Sequence, residues 1–293
     1  MDRGPITIVA AAASAERDLA RSLRQVAGVI GRARARGADL LVLPESQLGG
    51  YLREPRGDGE AADLVGPAVG LDGPELTALC RAAGDLVVCL GITEQGAGGD
   101  RHSTAVCLSG DGLLGVQRKV HLPPAERFAF TPGACFAAFD TPVGRLGMLV
   151  CYDKLFPEAA RALALDGADV ICCLAAWAAD RHAPARRLRD DRQLRHFDAV
   201  DVARAVESQV VWVSANQAGR WAGRRMLGAA KVVDPDGAVL ARTRPGRDGL
   251  AVARIDPAAA VADARGRFDH LGDRRPAAYG MAPGTGRHAV GAR

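Results

Sequence analysis

Three observations predict an α/β fold built of sheets covered by helices. Short apolar runs of β-compatible residues recur along the chain, each too short for a helix of its own. Helical patterns stand between many of them, as in Ala15 to Arg36, where Leu19, Leu23, Val26 and Ile30 form one stripe. The composition, 48% hydrophobic and 25% charged over 293 residues, is that of an ordinary globular protein with enough apolar surface for one large core, read as one domain over 1–293.

The elements follow in order. Ile6 to Ala12 is a candidate buried strand, and Gly37 ends the helix that follows it. Asp39 to Leu43 reads as a strand that delivers Pro44-Glu45 at its tip, followed by a long loop from Gly49-Gly50-Tyr51 to Gly59. Pro74 to Ala83 is helical, and Asp85 to Ile92, Ser103 to Ser109 and Leu113 to Arg118 are strands. The last two are joined by the hairpin turn Ser109-Gly110-Asp111-Gly112. The glycines at 96, 98 and 99 form a turn; they lack the GxGxxG spacing and the following helix of a dinucleotide loop.

The strand Leu146 to Val150 ends at Cys151, and Pro157-Glu158 then opens an alanine-rich helix. Ala168 to Ala175 is a strand ending near Trp177, and an Arg-rich helix is expected from Arg181 to Glu207. Val210 to Ala215, Lys231 to Val233, Val239 to Arg242 and Gly249 to Ile255 complete the strands. The Pro-, Gly- and Arg-rich stretch 257–293 reads as a tail lying over the surface or at a subunit interface.

Charge and cysteine content narrow the function classes. The net charge of +4, from 38 basic and 34 acidic residues without a long single-sign block, gives no nucleic-acid signature. Seven cysteines, an odd number without paired short spacing, fit a reducing, cytoplasmic setting better than a disulfide framework. No apolar stretch reaches the ~20 residues of a membrane helix. Neither the histidines nor the adjacent Cys172-Cys173 has metal-ligand spacing, since neighbours on a strand point to opposite faces. No metal or cofactor is expected.

Three strand ends carry reactive side chains: Glu45, Lys119 and Cys151. Taken singly, each has an ordinary explanation as a loop carboxylate, a snorkelling lysine and a buried thiol. Together they supply a nucleophile at a strand-to-helix elbow, a base and a cation. A free thiol is mostly protonated at neutral pH, so it needs a positive neighbour, a helix start or a base.

The motifs around these residues resemble those of the nitrilase superfamily of carbon-nitrogen hydrolases. They are Leu43-Pro44-Glu45 with Gly50-Tyr51, and Arg118-Lys119-Val120-His121-Leu122 with Glu126 and Pro132-Gly133. Cys151-Tyr152-Asp153 follows with Phe156-Pro157-Glu158, then Gly167-Ala168-Asp169 ahead of a strand and Trp177. Arg204-Ala205-Val206-Glu207 before Ala215-Asn216-Gln217-Ala218-Gly219, and Asp234-Pro235-Asp236-Gly237, complete the series. Ala230 stands where the family usually has serine, Ser208 where it usually has asparagine, and the first strand lacks a common glutamine.

The resemblance implies a four-layer α-β-β-α sandwich that associates into homodimers or larger homo-oligomers. It also implies a catalytic set of Glu45, Lys119 and Cys151, with Glu126 and Tyr152 in support and Tyr51 and Trp177 as pocket candidates. The implied reaction is hydrolysis of a small aliphatic or ω-amide. The Cys-Tyr-Asp order is closer to the amidase branches than to the Cys-Trp-Glu of true nitrilases. Hydrolysis of an N-carbamoyl compound, with carbon dioxide released beside ammonia, is the alternative, and a catalytically silent scaffold is the non-enzymatic one.

Overall fold

The computed structural model describes residues 4–53 and 64–279. The chain opens with β1 (Ile6–Ala13), α1 (Leu19–Arg34), β2 (Leu40–Val42), α2 (Pro74–Ala83), β3 (Val87–Gln95), β4 (Arg101–Ser109) and β5 (Gly112–Arg118). The second half runs through β6 (Phe139–Thr141), β7 (Gly144–Val150), α3 (Pro157–Leu165), β8 (Val170–Ala175), α4 (Arg192–Ser208) and β9 (Val211–Gln217). The short pair β10 (Arg220–Trp221) and β11 (Arg224–Arg225) precedes β12 (Lys231–Val233), β13 (Val239–Arg242), β14 (Gly249–Ile255) and α5 (Pro257–Arg267).

The strands hydrogen-bond in the order β5-β4-β3-β2-β1-β9-β8-β7-β6, with β14 antiparallel to β1 and β12 antiparallel to β9. The two halves meet where β1 pairs with β9 at Ala12–Asn216 and Ala13–Gln217. An interior core between the halves contains Ile8, Val42, Cys89, Met148, Cys172 and Val213. A second core packs Val26 and Ile30 of α1 and Leu76 and Leu79 of α2 against Val9, Leu41 and Val88. A third packs Ala160 and Leu163 of α3 against Leu149, Ile171 and Trp212. Helix, sheet, sheet and helix therefore form four layers, and the alternation of each strand divides its side chains between two cores. Cys172 and Cys173 show this directly: the first enters the inter-sheet core and the second the helix-facing one.

One expectation needs correction, and one gains detail. The Arg-rich helix begins at Arg192, eleven residues later than expected. Asp180 accepts the backbone N–H groups of His182 at 2.9 Å and Ala183 at 2.8 Å, and a 3₁₀ turn at Leu188–Asp190 ends this irregular stretch. Asp191 then caps α4 by accepting the Gln193 N–H at 2.9 Å. The stretch read as a tail also starts with a helix, α5, capped by Asp256 and opened by Pro257, and it buries Val261 and Ala264. The rest of that stretch from 280, and the part of the expected Gly49–Gly59 loop from 54, lie outside the described residues.

Parallel β2, β7, β8 and β9 all finish at one edge of the molecule. Ligand sites in parallel sheets form at such carboxyl ends. Here the segments after β2, β7 and β8 bring Glu45, Cys151 and Ala176 together.

Candidate active site

Glu45 is fully buried two residues beyond Leu43, whose N–H donates to Cys89 O at 2.8 Å. Gly91 of β3 lies directly beneath: a Cβ there would stand 2.5 Å from Glu45 Cα and 2.4 Å from Ser46 N, so only glycine admits this approach. The carboxylate is held from several sides. Oε1 accepts from Lys119 Nζ at 2.7 Å and Ser103 Oγ at 3.3 Å, and Oε2 from the Ala176 N–H at 2.9 Å. Gln217 Nε2 donates to the Glu45 carbonyl at 2.9 Å.

Lys119 follows β5 and is locked into the sheet edge, with its N–H on Ser103 O and its carbonyl accepting from Gly133, both at 2.8 Å. Its ammonium bridges Glu45 and, at 2.6 Å, Glu126 Oε1, which also accepts the Tyr51 hydroxyl. Glu126 Oε2 is buried and has no hydrogen-bond partner among the described residues.

Cys151 begins a 3₁₀ turn directly after β7, and its φ of 48° is a left-handed conformation uncommon outside glycine. Such strain persists only where surrounding structure enforces it. The enforcement comes from Asp153, whose carboxylate accepts from the Val150 N–H at 3.2 Å and the His121 N–H at 2.8 Å, and pairs with His121 Nδ1 at 2.9 Å. His121 in turn stacks on Phe156 at 3.7 Å between ring centroids. The cysteine turn and the lysine loop are thereby pinned to each other.

The Cys151 thiol lies within the electrostatic reach of the Glu45 carboxylate. It opens onto a crevice of about 260 Å³ whose walls include Tyr51, Glu126, Tyr152 and Trp177. Asn216 holds the Trp177 backbone, accepting its N–H at 2.7 Å and donating to its carbonyl at 3.2 Å, while Gln193 takes the indole N–H at 2.8 Å. Gly50, with φ of 76°, sits where a Cβ would meet the Trp221 ring at 2.0 Å, and Trp221 donates to Tyr51 O at 2.9 Å.

A model of the carbon-nitrogen hydrolase family matches residues 7–265. The chain belongs to the carbon-nitrogen hydrolase family. It is 33% identical over 262 residues to an (R)-stereoselective amidase of a Pseudomonas species, covering 88% of this chain and 85% of that one. It is 32% identical over 231 residues to a nitrilase of Pyrococcus abyssi, covering 78% and 80%. Among solved structures it resembles an amidase of Nesterenkonia sp. AN1 that carries the acetamide moiety of fluoroacetamide on its active-site cysteine. That match has a TM-score of 0.75 and 26% identity, covering 94% of this chain and 97% of the other.

The electrostatics of this carbon-nitrogen hydrolase differ in one respect from what sequence alone suggested. Burial, and then the Glu45 charge, push the Cys151 thiol well above its usual pKa, outweighing Lys119. A cation beside the cysteine therefore does not give a resting thiolate. Burial also raises Glu45, against the pull of Lys119. For Lys119 burial acts downward, but Glu45 and Glu126 outweigh it and hold the ammonium well above its ordinary value. Tyr51 is pushed up by burial and Glu126, so its hydroxyl stays protonated.

Every side chain singled out from the sequence lies in this region of the carbon-nitrogen hydrolase, Glu45 and Lys119 behind the crevice wall and the others along it. Ser103, Ala176 and Gln217 were not anticipated as ligands of Glu45, and Asp153 was not read as the link between the cysteine turn and the lysine loop. Ala230 is buried in the inter-sheet core, and Ser208 ends α4 with its hydroxyl unpartnered among the described residues. Neither departure lines the crevice. Among the described residues no group of three or more His, Cys, Asp or Glu is placed to hold a metal ion, and no helix is long and apolar enough to cross a membrane.

Proposed function

We propose that this carbon-nitrogen hydrolase converts a small linear carboxamide to its acid and ammonia through a thioester on Cys151. The observation that carries the reading is the gathering of Cys151, Glu45 and Lys119 at the back of a small crevice, with Lys119 Nζ 2.7 Å from Glu45 Oε1 and both charges acting on the thiol. The thiol is protonated at rest, so its proton passes to Glu45 as the sulfur attacks the amide carbon. Glu45 then gives that proton to the departing nitrogen.

Lys119, charged throughout, and the N–H of Tyr152 face the negative charge that grows on the carbonyl oxygen. Each such donor is worth about 3–4 kcal/mol in comparable oxyanion sites. The unpartnered Glu126 Oε2 is a ready acceptor for the substrate amide N–H. Once ammonia has left, Glu45 takes a proton from water, the hydroxide attacks the thioester, and the proton returns to the sulfur as the acid leaves. The amidase relatives support amides over nitriles. Family relationship supports a homo-oligomer, and seven free cysteines support a reducing, cytoplasmic compartment.

Ammonia release from a panel of amides, carbamoyl compounds and nitriles, comparing wild type with Cys151→Ala, tests the reading. Cysteine-dependent ammonia from amides, without carbon dioxide, is expected. Carbon dioxide beside ammonia identifies a carbamoyl hydrolase instead, and release from nitriles alone overturns the amide assignment.

A further inference from the structure

The crevice at Cys151 does not end at the reactive group. It adjoins an outer chamber of about 430 Å³, and the two share Ala179, Asp180, Arg181 and Arg224 as lining. The outer chamber is strongly one-signed, with Arg181, Arg186, Arg220, Arg224 and Arg225 against the single carboxylate of Asp180. That carboxylate is already engaged, by Arg192 and by the N–H groups of His182 and Ala183.

Two of the arginines spend their donors on backbone carbonyls. Arg225 donates to the carbonyls of Ala185 and, at 3.1 Å, Arg186, and Arg220 to the Gly223 carbonyl at 3.3 Å. These bonds fix geometry without neutralising charge. The Arg225 contacts tie the β10–β11 hairpin to the loop before α4 and so hold the chamber open in one shape. Arg224, on that hairpin and exposed, lines both chambers, and its guanidinium makes no ion pair or hydrogen bond with the described residues.

A neutral amide has no use for such a field. A concave surface of one sign concentrates ligands of the opposite sign, and a guanidinium with its donors unused fits a carboxylate in bidentate geometry. We propose that the substrate is an amide bearing a carboxylate at its far end, the half-amide of a dicarboxylic acid, with the amide at Cys151 and the carboxylate on Arg224. This assignment rests on the amidase reading above and adds to it the charge of the substrate tail. Hydrolysis then consumes water, breaks the C–N bond, and yields a dicarboxylate and ammonia.

The test compares glutaramate with its uncharged counterpart valeramide in wild type, Arg224→Ala and Arg224→Lys. Wild type is expected to favour glutaramate. The glutaramate-to-valeramide ratio of kcat/KM should fall about tenfold in Arg224→Ala, equivalent to ~1.4 kcal/mol, chiefly through KM. Arg224→Lys should recover part of it. A preference for valeramide, or a ratio that Arg224→Ala leaves unchanged, overturns the proposal. Calorimetric titration of both compounds into Cys151→Ala separates tail recognition from chemistry. If neither amide is turned over, tighter glutaramate binding that Arg224→Ala abolishes still supports the anionic tail, and equal or absent binding refutes it.

Discussion

Lys119 Nζ lies 2.7 Å from Glu45 Oε1, with both side chains fully withdrawn from solvent. A pair so deeply buried is costly to form and more costly to break. Glu126 makes the arrangement a triad, so the one ammonium offsets two carboxylates. Removing the cation should therefore damage the fold as well as the reaction. Lys119→Ala is expected to lose about 3–5 kcal/mol of stability. Differential scanning calorimetry reads this as a fall of several degrees in Tm, and an unchanged Tm counts against a charged triad.

Glu45→Gln separates the chemistry from that structural role. The amide keeps an oxygen for Lys119, whose charge is still met by Glu126, so the fold is retained and the base is lost. Under the proposed reaction ammonia release should fall about 10²- to 10⁴-fold, the usual share of a general base. Circular dichroism should be unchanged. Retention of most activity in a folded Glu45→Gln protein removes Glu45 from the mechanism.

The pH profile follows from the directions of the shifts. Proton transfer to Glu45 requires its ionised form, and burial raises the group above its ordinary value, so the acid limb of kcat/KM should lie above the ordinary carboxylate range. The thiol is pushed well above 9.0, so activity should not climb through neutral pH as thiol ionises. Initial rates across a wide pH range check both limbs. A profile that tracks an ordinary or depressed thiol pKa contradicts the protonated resting cysteine.

What the sequence shows, and what it hides, divides along contact range. Glu45, Lys119 and Cys151 are legible because each terminates a short apolar run, a pattern carried within a few neighbouring residues. The ligands of Glu45 are not, because Ser103, Ala176 and Gln217 are 58, 131 and 172 residues away in sequence and meet it only when the sheet folds over. The late start of α4 was obscured because residues 181–191 carry mixed charges compatible with a solvated helix face. Asp180 and Asp191 instead capture the backbone N–H groups there. In α5 the Asp256-Pro257 start signal was present, and the alanine- and arginine-rich composition hid it.

Behind Trp177 lies a second buried charge group that the proposed reaction does not use. Asp201 of α4 accepts from Lys154 at 2.8 Å and also from Lys231, while Lys154 stands 3.2 Å from the centre of the Phe197 ring. Burial lowers the Lys154 pKa despite Asp201, and Asp201 itself is lowered because its two lysines outweigh burial. The signs are opposite in consequence. Asp201 contributes stability above its unfolded pKa that is lost as pH falls through the folded value, whereas Lys154 carries a penalty that eases as pH rises through its lowered value. Asp201→Asn leaves the buried Lys154 ammonium without a carboxylate partner, while Lys231 keeps Asp198 at 3.0 Å, and should cost about 3–5 kcal/mol. Lys154→Met removes the penalised charge while Lys231 still neutralises Asp201, and its cost should be near zero or favourable. Urea denaturation of the two variants at neutral pH measures the contrast, and equal losses would show that Lys154 stabilises the fold as much as Asp201 does.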